Sequence, residues 1–124
     1  MKNDKWSWPI FEYLTQKAYH ELEREGCGTL FTLQQVDMVF RYYFDQYQRR
    51  CRRQHPRLTY RNIMDLIYKL DDFEFEDYPA LIDCYFDTRF DNCDYNVNHF
   101  FSGDIRKLRA CECGLAGVYG LYEE

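Results

Sequence analysis

The chain has 124 residues, which is enough for one domain and too few for two ordinary ones. Aromatic residues make up 19% of it, which excludes a disordered composition, and a net charge of −5 argues against a general nucleic-acid binder. No apolar run approaches the roughly 18–20 residues of a membrane helix, and the start of the chain does not resemble a secretory signal. We therefore expect a single cytoplasmic domain over residues 1–124.

Apolar residues at helical spacing predict a first helix over residues 8–25. A second helix is expected after Thr32, because Thr32 and Gln35 form the capping-box pattern Thr-x-x-Gln. It should end near Gln54, since Pro56 disfavours helical geometry at the residue before it.

A third helix is predicted after Thr59, which is a plausible cap, and it fades into an acidic stretch over residues 71–77. A fourth begins near Asp77, with a proline in its first turn, and should end around Phe90. These two helices complete the part of the chain where the apolar spacing is clearest.

Toward the C-terminus, residues 97–101 are predicted to form a packed turn that leads into a short helix after Ser102. The Gly-rich tail over residues 114–124 is expected either to fray or to dock on the domain. No strand alternation is present, so the predicted fold is all-α, a compact orthogonal bundle of four to five helices.

The most distinctive charge feature is a basic block, since seven arginines and one acidic residue lie between Arg41 and Arg61. Guanidinium groups beside an aromatic ring suit phosphates and stacked bases, and they equally suit an acidic protein surface. The alternative is a solvated helix face that pairs with the acidic half of the same chain. The candidate partner- or nucleic-acid-binding residues are Arg41, Tyr42, Arg49, Arg52, Arg53 and Arg61.

An acidic block follows, with ten acidic and two basic residues over positions 62–94. A row of carboxylates would occupy a basic groove of a partner as nucleic acid does, whereas the alternative is a solvated face that keeps the protein soluble. The candidate acidic partner-binding residues are Asp71, Asp72, Glu74, Glu76, Asp77, Asp83 and Asp87.

Six cysteines are expected to be free thiols, because no secretory signal is seen, and Cys51 and Cys84 are expected to be small core residues. A zinc site assembled from Cys93, His99, Cys111 and Cys113 has the right ligand types, but its spacing differs from the usual Cys-x-x-Cys pairs. Buried thiols and a hydrogen-bonded histidine are the favoured alternative. No triad or phosphate loop is readable, so we expect a non-enzymatic protein without a metal or cofactor.

Two motifs carry a resemblance. Residues 39–47, followed by His55-Pro56-Arg57-Leu58, and residues 93–106 resemble small uncharacterised proteins of integrative and conjugative elements and prophages of Gram-positive gut bacteria. The resemblance covers about residues 36–112 and brings no known activity. It implies a mobile-element setting, in which small acidic proteins are often inhibitors of host defence, anti-CRISPR proteins among them.

Two functions follow as hypotheses. The first is a non-enzymatic mobile-element protein that binds and inhibits or modulates a partner protein, with a CRISPR effector or another nucleic-acid enzyme as the expected target. Segregated charge and a surplus of tyrosine favour it, because tyrosine is enriched at interfaces. The second is a small accessory protein that binds nucleic acid through the arginine-rich helix face.

Overall fold

Five α-helices make up most of the residues that the computed structural model describes, which are 8–88 and 93–102. They are α1 (Trp8–Arg24), α2 (Leu33–Cys51), α3 (Tyr60–Lys69), α4 (Tyr78–Asp87) and α5 (Val97–Phe100). Two 3-10 turns, Leu70–Asp72 and Phe75–Asp77, join α3 to α4. No strand occurs in these residues, so the predicted all-helical bundle is confirmed.

The start of α2 is fixed by the predicted capping box. The Thr32 hydroxyl accepts a hydrogen bond from the Gln35 backbone N–H at 3.1 Å, and the Gln35 side chain accepts one from the Thr32 N–H at 3.0 Å. The helix ends at Cys51 and not near Gln54, because Arg52 takes a left-handed conformation with φ 61° and donates its N–H to Gln48. The predicted end was therefore three residues too late.

For the later helices as well, the predicted first residues agree with the structure better than the predicted last residues. Thr59 caps α3 through its side chain, as predicted, and α4 begins directly after Asp77. It ends at Asp87 and not around Phe90, because Thr88 is already extended. The segment predicted as a packed turn forms the one-turn helix α5, capped by the Asn96 side chain. The helix predicted after Ser102 and the tail over 114–124 lie outside the described residues.

Aromatic side chains fill the interior, where α1 packs against α3 and α2, and α2 packs against α4. Phe11 of α1 meets Phe40 of α2 edge to face, with ring centroids 5.4 Å apart. Tyr43, at the middle of α2, is buried against Phe86 of α4 and Phe100 of α5. This packing leaves the opposite side of α2 at the surface, with its arginines.

Polar contacts hold α5 in place. The backbone N–H of Val97 donates to His55 Nε2 at 2.9 Å, which ties α5 to the segment that follows α2. Asn62 of α3 and Asn98 of α5 exchange two side-chain amide hydrogen bonds, at 2.6 and 2.9 Å. As a result, the residues around Cys93 and His99 sit at a fixed place beside α4.

Candidate functional site

The predicted basic residues occupy three separate parts of the surface. Arg41 lies halfway along α2, Arg49 and its neighbours form the C-terminal end of that helix, and Arg61 lies in the first turn of α3. The basic block of the sequence is therefore not one continuous patch.

The Arg41 side chain contacts another part of the same chain. Its guanidinium stacks on the ring of Trp8, 4.1 Å from the centroid, which is a favourable cation–π geometry. Asp45 and Gln48 follow on the same stripe of α2, and together with Trp8 they line a shallow polar cleft of about 140 Å³. This arrangement places a carboxylate beside Arg41, which disfavours phosphate there.

The C-terminal end of α2 carries the densest positive charge. Arg50 forms an ion pair with Asp87 of α4, and Arg53 donates to the Tyr47 hydroxyl at 3.1 Å. Arg49 and Arg52 are exposed, and within the described part of the chain they form no ion pair. We call these four arginines the arginine end.

Tyr42 connects the basic helix to the acidic one. Its hydroxyl donates to both carboxylate oxygens of Asp83, at 2.8 and 3.0 Å. Burial and the Asp83 charge raise the pKa of Tyr42, while the positive charges of Arg50 and Arg49 oppose that shift. Tyr42 is therefore a link between α2 and α4 and not an open stacking platform.

Arg61 belongs to a different surface. It lines a concavity of about 430 Å³ between α1 and α3, together with Leu22, Tyr60, Met64 and Tyr68. Tyr68 is 65% exposed there. Arg61 lies on α3, whereas the arginine end is the C-terminal end of α2. A charge change at Arg61 is therefore used below as the control for changes at the arginine end.

The predicted acidic face is divided as well. Asp71 accepts hydrogen bonds from the Thr29 hydroxyl at 2.5 Å and from the Leu30 N–H at 3.1 and 3.2 Å, so it fastens the α1–α2 loop. Asp83 and Asp87 face α2, as described above. Among the remaining predicted positions, Asp72, Glu74 and Asp77 each make further contacts, and Glu76 lies at the rim of two cavities.

Sequence reasoning missed an apolar groove between α2 and α4, which has a volume of about 230 Å³. Its wall on α2 is formed by Met38, Val39 and Tyr42, and Met38 is 53% exposed. The opposite wall consists of Phe75, Glu76, Tyr78, Pro79 and Ile82. The signal available in the sequence was Met38, an apolar residue that falls outside the apolar spacing of α2.

The cysteines follow the prediction in part. Cys27, Cys51 and Cys93 are free thiols, as expected, whereas Cys84 is disulfide-bonded, so the prediction of a free thiol is wrong there. Cys51 and Cys84 are half-buried and so lie at the edge of the core. Burial raises the pKa of the Cys51 thiol, which keeps it protonated.

Two of the four residues considered for zinc are close together. Cys93 Sγ lies 3.3 Å from His99 Nδ1, and the Tyr85 hydroxyl lies 2.8 Å from the same nitrogen. Cys111 and Cys113 lie outside the described residues. Within residues 8–88 and 93–102, no group of three or more His, Cys, Asp or Glu side chains is arranged to hold a metal ion.

His55 is a buried histidine whose role is structural. Its Nδ1 lies 2.8 Å from the Pro56 carbonyl and its Nε2 accepts from Val97, so the neutral tautomer with the proton on Nδ1 satisfies both contacts. Burial lowers the pKa of His55 to about 4. The imidazole is therefore uncharged at neutral pH and adds nothing to the charge of the arginine end.

No protein family, curated protein or solved structure matches this chain. Among the described helices, none has the length and apolar character needed to cross a bilayer. The class that the fold defines is an all-α bundle. The features that bear on its function are the groove, the arginine end and the contact of Cys93 with His99.

Proposed function

We propose that this chain is a non-enzymatic mobile-element protein that binds a partner protein and inhibits or modulates it. The observation that carries the proposal is the apolar groove between α2 and α4, which shares helix α2 with the arginine end. The mobile-element resemblance of residues 39–47 and 93–106 favours a partner from cytoplasmic host defence, such as a CRISPR effector or another nucleic-acid enzyme.

The groove supplies a place for an apolar anchor. Its floor is made by the buried side chains of Val39, Tyr78 and Ile82, and Met38 stands exposed at its edge. Exposed apolar concavities of this kind mark interaction sites more often than chance surface does. Methionine adapts its shape to different partners, which suits a binding surface.

The arginine end supplies charge next to that anchor. Met38, Tyr42 and Arg49 are spaced by four and seven residues, so they lie along one stripe of α2. Arg49 and Arg52 are exposed and make no ion pair with another described residue, so their guanidinium groups are open to carboxylates on a partner. The surface therefore fits an acidic protein segment that carries an apolar side chain.

The mixed charge around the groove favours protein over nucleic acid as the occupant. Glu76 lies at its rim, and Asp83 and Asp87 line the α4 side next to the arginine end. Phosphates along a continuous backbone would approach these carboxylates, whereas a protein surface presents both signs of charge.

Capture from the lysate of a Gram-positive gut bacterium tests the proposal. The wild-type chain should retain one protein in stoichiometric amount at about 50 mM salt and less of it at about 200 mM. The double variant Arg49→Glu/Arg52→Glu and the groove variant Met38→Asp should each lose it. Matched changes on the α1–α3 surface, Arg61→Glu and Tyr68→Asp, should retain it.

Two results contradict the proposal. Recovery of no partner at the lower salt removes its main support. A partner that survives both the Met38→Asp and the Arg49→Glu/Arg52→Glu changes binds elsewhere, so the groove and the arginine end are not its site. Circular dichroism of each variant shows that the fold is intact.

The alternative is a nucleic-acid-binding accessory protein, and it rests on the exposed Arg49 and Arg52 at the C-terminal end of α2. Fluorescence anisotropy with labelled single- and double-stranded DNA and RNA, at about 50 and 200 mM salt, distinguishes the two functions. Salt-sensitive binding that Arg49→Glu/Arg52→Glu abolishes and Met38→Asp preserves identifies nucleic acid as the ligand. Absence of binding at the lower salt excludes it.

A further inference from the structure

We propose that Cys93 is a nucleophilic thiol, activated by His99, that forms a covalent bond with small electrophiles. None of the residues that form this site lines the apolar groove. It is built from the loop before α5, from α5 itself and from the inner face of α4.

The first step of the argument is the proton acceptor. Cys93 Sγ lies 3.3 Å from His99 Nδ1, within reach for transfer of the thiol proton to the imidazole. The two side chains are half-buried, so a small reagent reaches the sulfur while bulk water is partly excluded. A histidine in contact with a thiol acts as the base that removes its proton, and the thiolate formed is the reactive nucleophile.

The second step is stabilisation of the thiolate by hydrogen-bond donors. The Tyr95 backbone N–H points at Cys93 Sγ from 3.2 Å, and the Tyr85 hydroxyl lies 3.7 Å from the sulfur. The Tyr85 hydroxyl is also 2.8 Å from His99 Nδ1. Because that nitrogen has a single lone pair, the hydroxyl turns from the nitrogen to the sulfur as the thiol proton moves to Nδ1. After the transfer, three donors therefore surround the anionic sulfur: the Tyr95 N–H, the Tyr85 O–H and the His99 N–H.

The loop that presents Cys93 is held in an uncommon backbone conformation. Tyr95 has φ 59°, which is unfavourable for a residue other than glycine. Its carbonyl accepts from the Tyr43 hydroxyl at 2.6 Å, and its own hydroxyl donates to the Thr88 carbonyl at 2.6 Å. These bonds fix the direction of the Tyr95 N–H before any reagent arrives, which is the preorganisation that an anion-stabilising site requires.

The titratable groups around the pair do not replace His99 as the proton acceptor. Burial raises the pKa values of Tyr43, Tyr85 and Cys51, so these groups stay protonated and neutral near pH 7. Tyr95 is a phenol in the same loop, and Asp94 and Arg53 carry charges that act on the neighbouring Cys51 thiol. Among the described residues in contact with the sulfur, His99 supplies the nitrogen base.

The reaction with iodoacetamide balances without a further reactant. The thiol proton moves from Cys93 Sγ to His99 Nδ1, and the sulfur lone pair then attacks the methylene carbon. A carbon–sulfur bond forms while the carbon–iodine bond breaks, and iodide leaves with the bonding pair. The imidazolium then returns its proton to solvent.

Site-resolved alkylation of the folded chain tests the proposal, with iodoacetamide as the probe and Cys27 as the internal reference. Cys27 is exposed, so access alone predicts that it reacts faster than the half-buried Cys93. We expect the opposite at about pH 6.5, with Cys93 faster by roughly tenfold, because His99 accepts the thiol proton as the sulfur attacks. The difference should vanish in denaturant, where both thiols are equally accessible.

Variants identify the cause of the rate. His99→Asn should bring the rate of Cys93 at pH 6.5 down to that of Cys27 or below, and the control His20→Asn on α1 should leave it unchanged. If His99→Asn does not fold, Tyr85→Phe removes one donor to the sulfur and should slow the alkylation of Cys93 at pH 6.5. A wild-type Cys93 no faster than Cys27, or a rate that survives His99→Asn in a folded protein, overturns the proposal.

Discussion

The hydroxyl of Tyr42 donates to both carboxylate oxygens of Asp83, which lies on the neighbouring helix α4. This contact joins the basic helix to the acidic one beside the apolar groove, which Tyr42 lines. One turn further along α4, Asp87 pairs with Arg50, so the two charged halves of the chain partly neutralise each other. Arg49 and Arg52 are exposed and form no ion pair within the described residues.

Removing the Tyr42 hydroxyl should weaken the α2–α4 contact. Tyr42→Phe is expected to lower the free energy of unfolding by about 1 kcal/mol, because a hydrogen bond to a carboxylate is lost while Asp83 stays partly solvated. In a double-mutant cycle with Asp83→Ala, the coupling energy should be of similar size, about 1 kcal/mol. Urea denaturation measures it, and Tyr13→Phe at an exposed position is the matched control. Additive effects in the cycle would show that the two side chains do not interact in solution.

The buried hydroxyl of Tyr78 offers a contrasting case. It donates to the Leu70 carbonyl at 2.7 Å and fastens the 3-10 turn to the start of α4. Tyr78→Phe leaves a buried carbonyl without this donor, so we expect a loss of about 1–3 kcal/mol in unfolding free energy. Tyr68→Phe removes a hydroxyl from a ring that is 65% exposed and should have no measurable effect in the same assay. Equal stability of the two variants would contradict the assigned contact.

Local signals explain why the helices were predictable. Capping at Thr32 and Thr59 depends on residues three positions away, so the sequence displays it directly. The end of α2 depends on Arg52 adopting a left-handed conformation, which glycine favours and other residues rarely adopt. No residue pattern in the sequence indicates this conformation.

The candidate sites were harder to predict because their parts are far apart in the chain. Met38 and Pro79 line one groove across 41 positions, and Tyr85 reaches His99 across 14. Charge counts located the arginines, but they did not show that Arg50 pairs with Asp87 or that Arg61 faces another surface. The sequence shows that Cys93 and His99 are metal-ligand types, whereas their contact with Tyr85 is seen only in the folded structure.

His55 should make the stability depend on pH. Its pKa is lowered from 6.5 to about 4 in the folded chain, so the unfolded chain takes up a proton first as the pH falls. Stability that is fully present above about pH 6.5 is then lost progressively down to about pH 4, by roughly 3 kcal/mol in total. Below that range, both states are protonated at this residue and the loss stops.

Chemical denaturation between pH 7 and 4.5 measures this dependence. The variant His55→Asn should be less stable at pH 7, because burial against Tyr47 and the bond to Val97 are disturbed, but its stability should fall less steeply with acid. His20→Asn, at an exposed position, should retain the wild-type slope. A wild-type slope in His55→Asn would show that other groups cause the acid sensitivity.

Asp71 separates a structural acidic residue from a binding one. It was predicted as part of an acidic partner-binding face, yet its carboxylate is occupied by the Thr29 hydroxyl and the Leu30 N–H across the α1–α2 loop. Asp71→Ala should therefore lower the unfolding free energy by about 1–2 kcal/mol, because a charged acceptor of several hydrogen bonds is removed. Asp65→Ala, an exposed change on α3, should stay within about 0.5 kcal/mol of the wild type.

Partner capture should persist in Asp71→Ala at a temperature where the fold is intact, since neither the groove nor the arginine end is altered. Loss of capture in a folded Asp71→Ala protein would instead show that the Asp71 carboxylate is part of the binding surface and that the interface lies toward the α1–α2 loop.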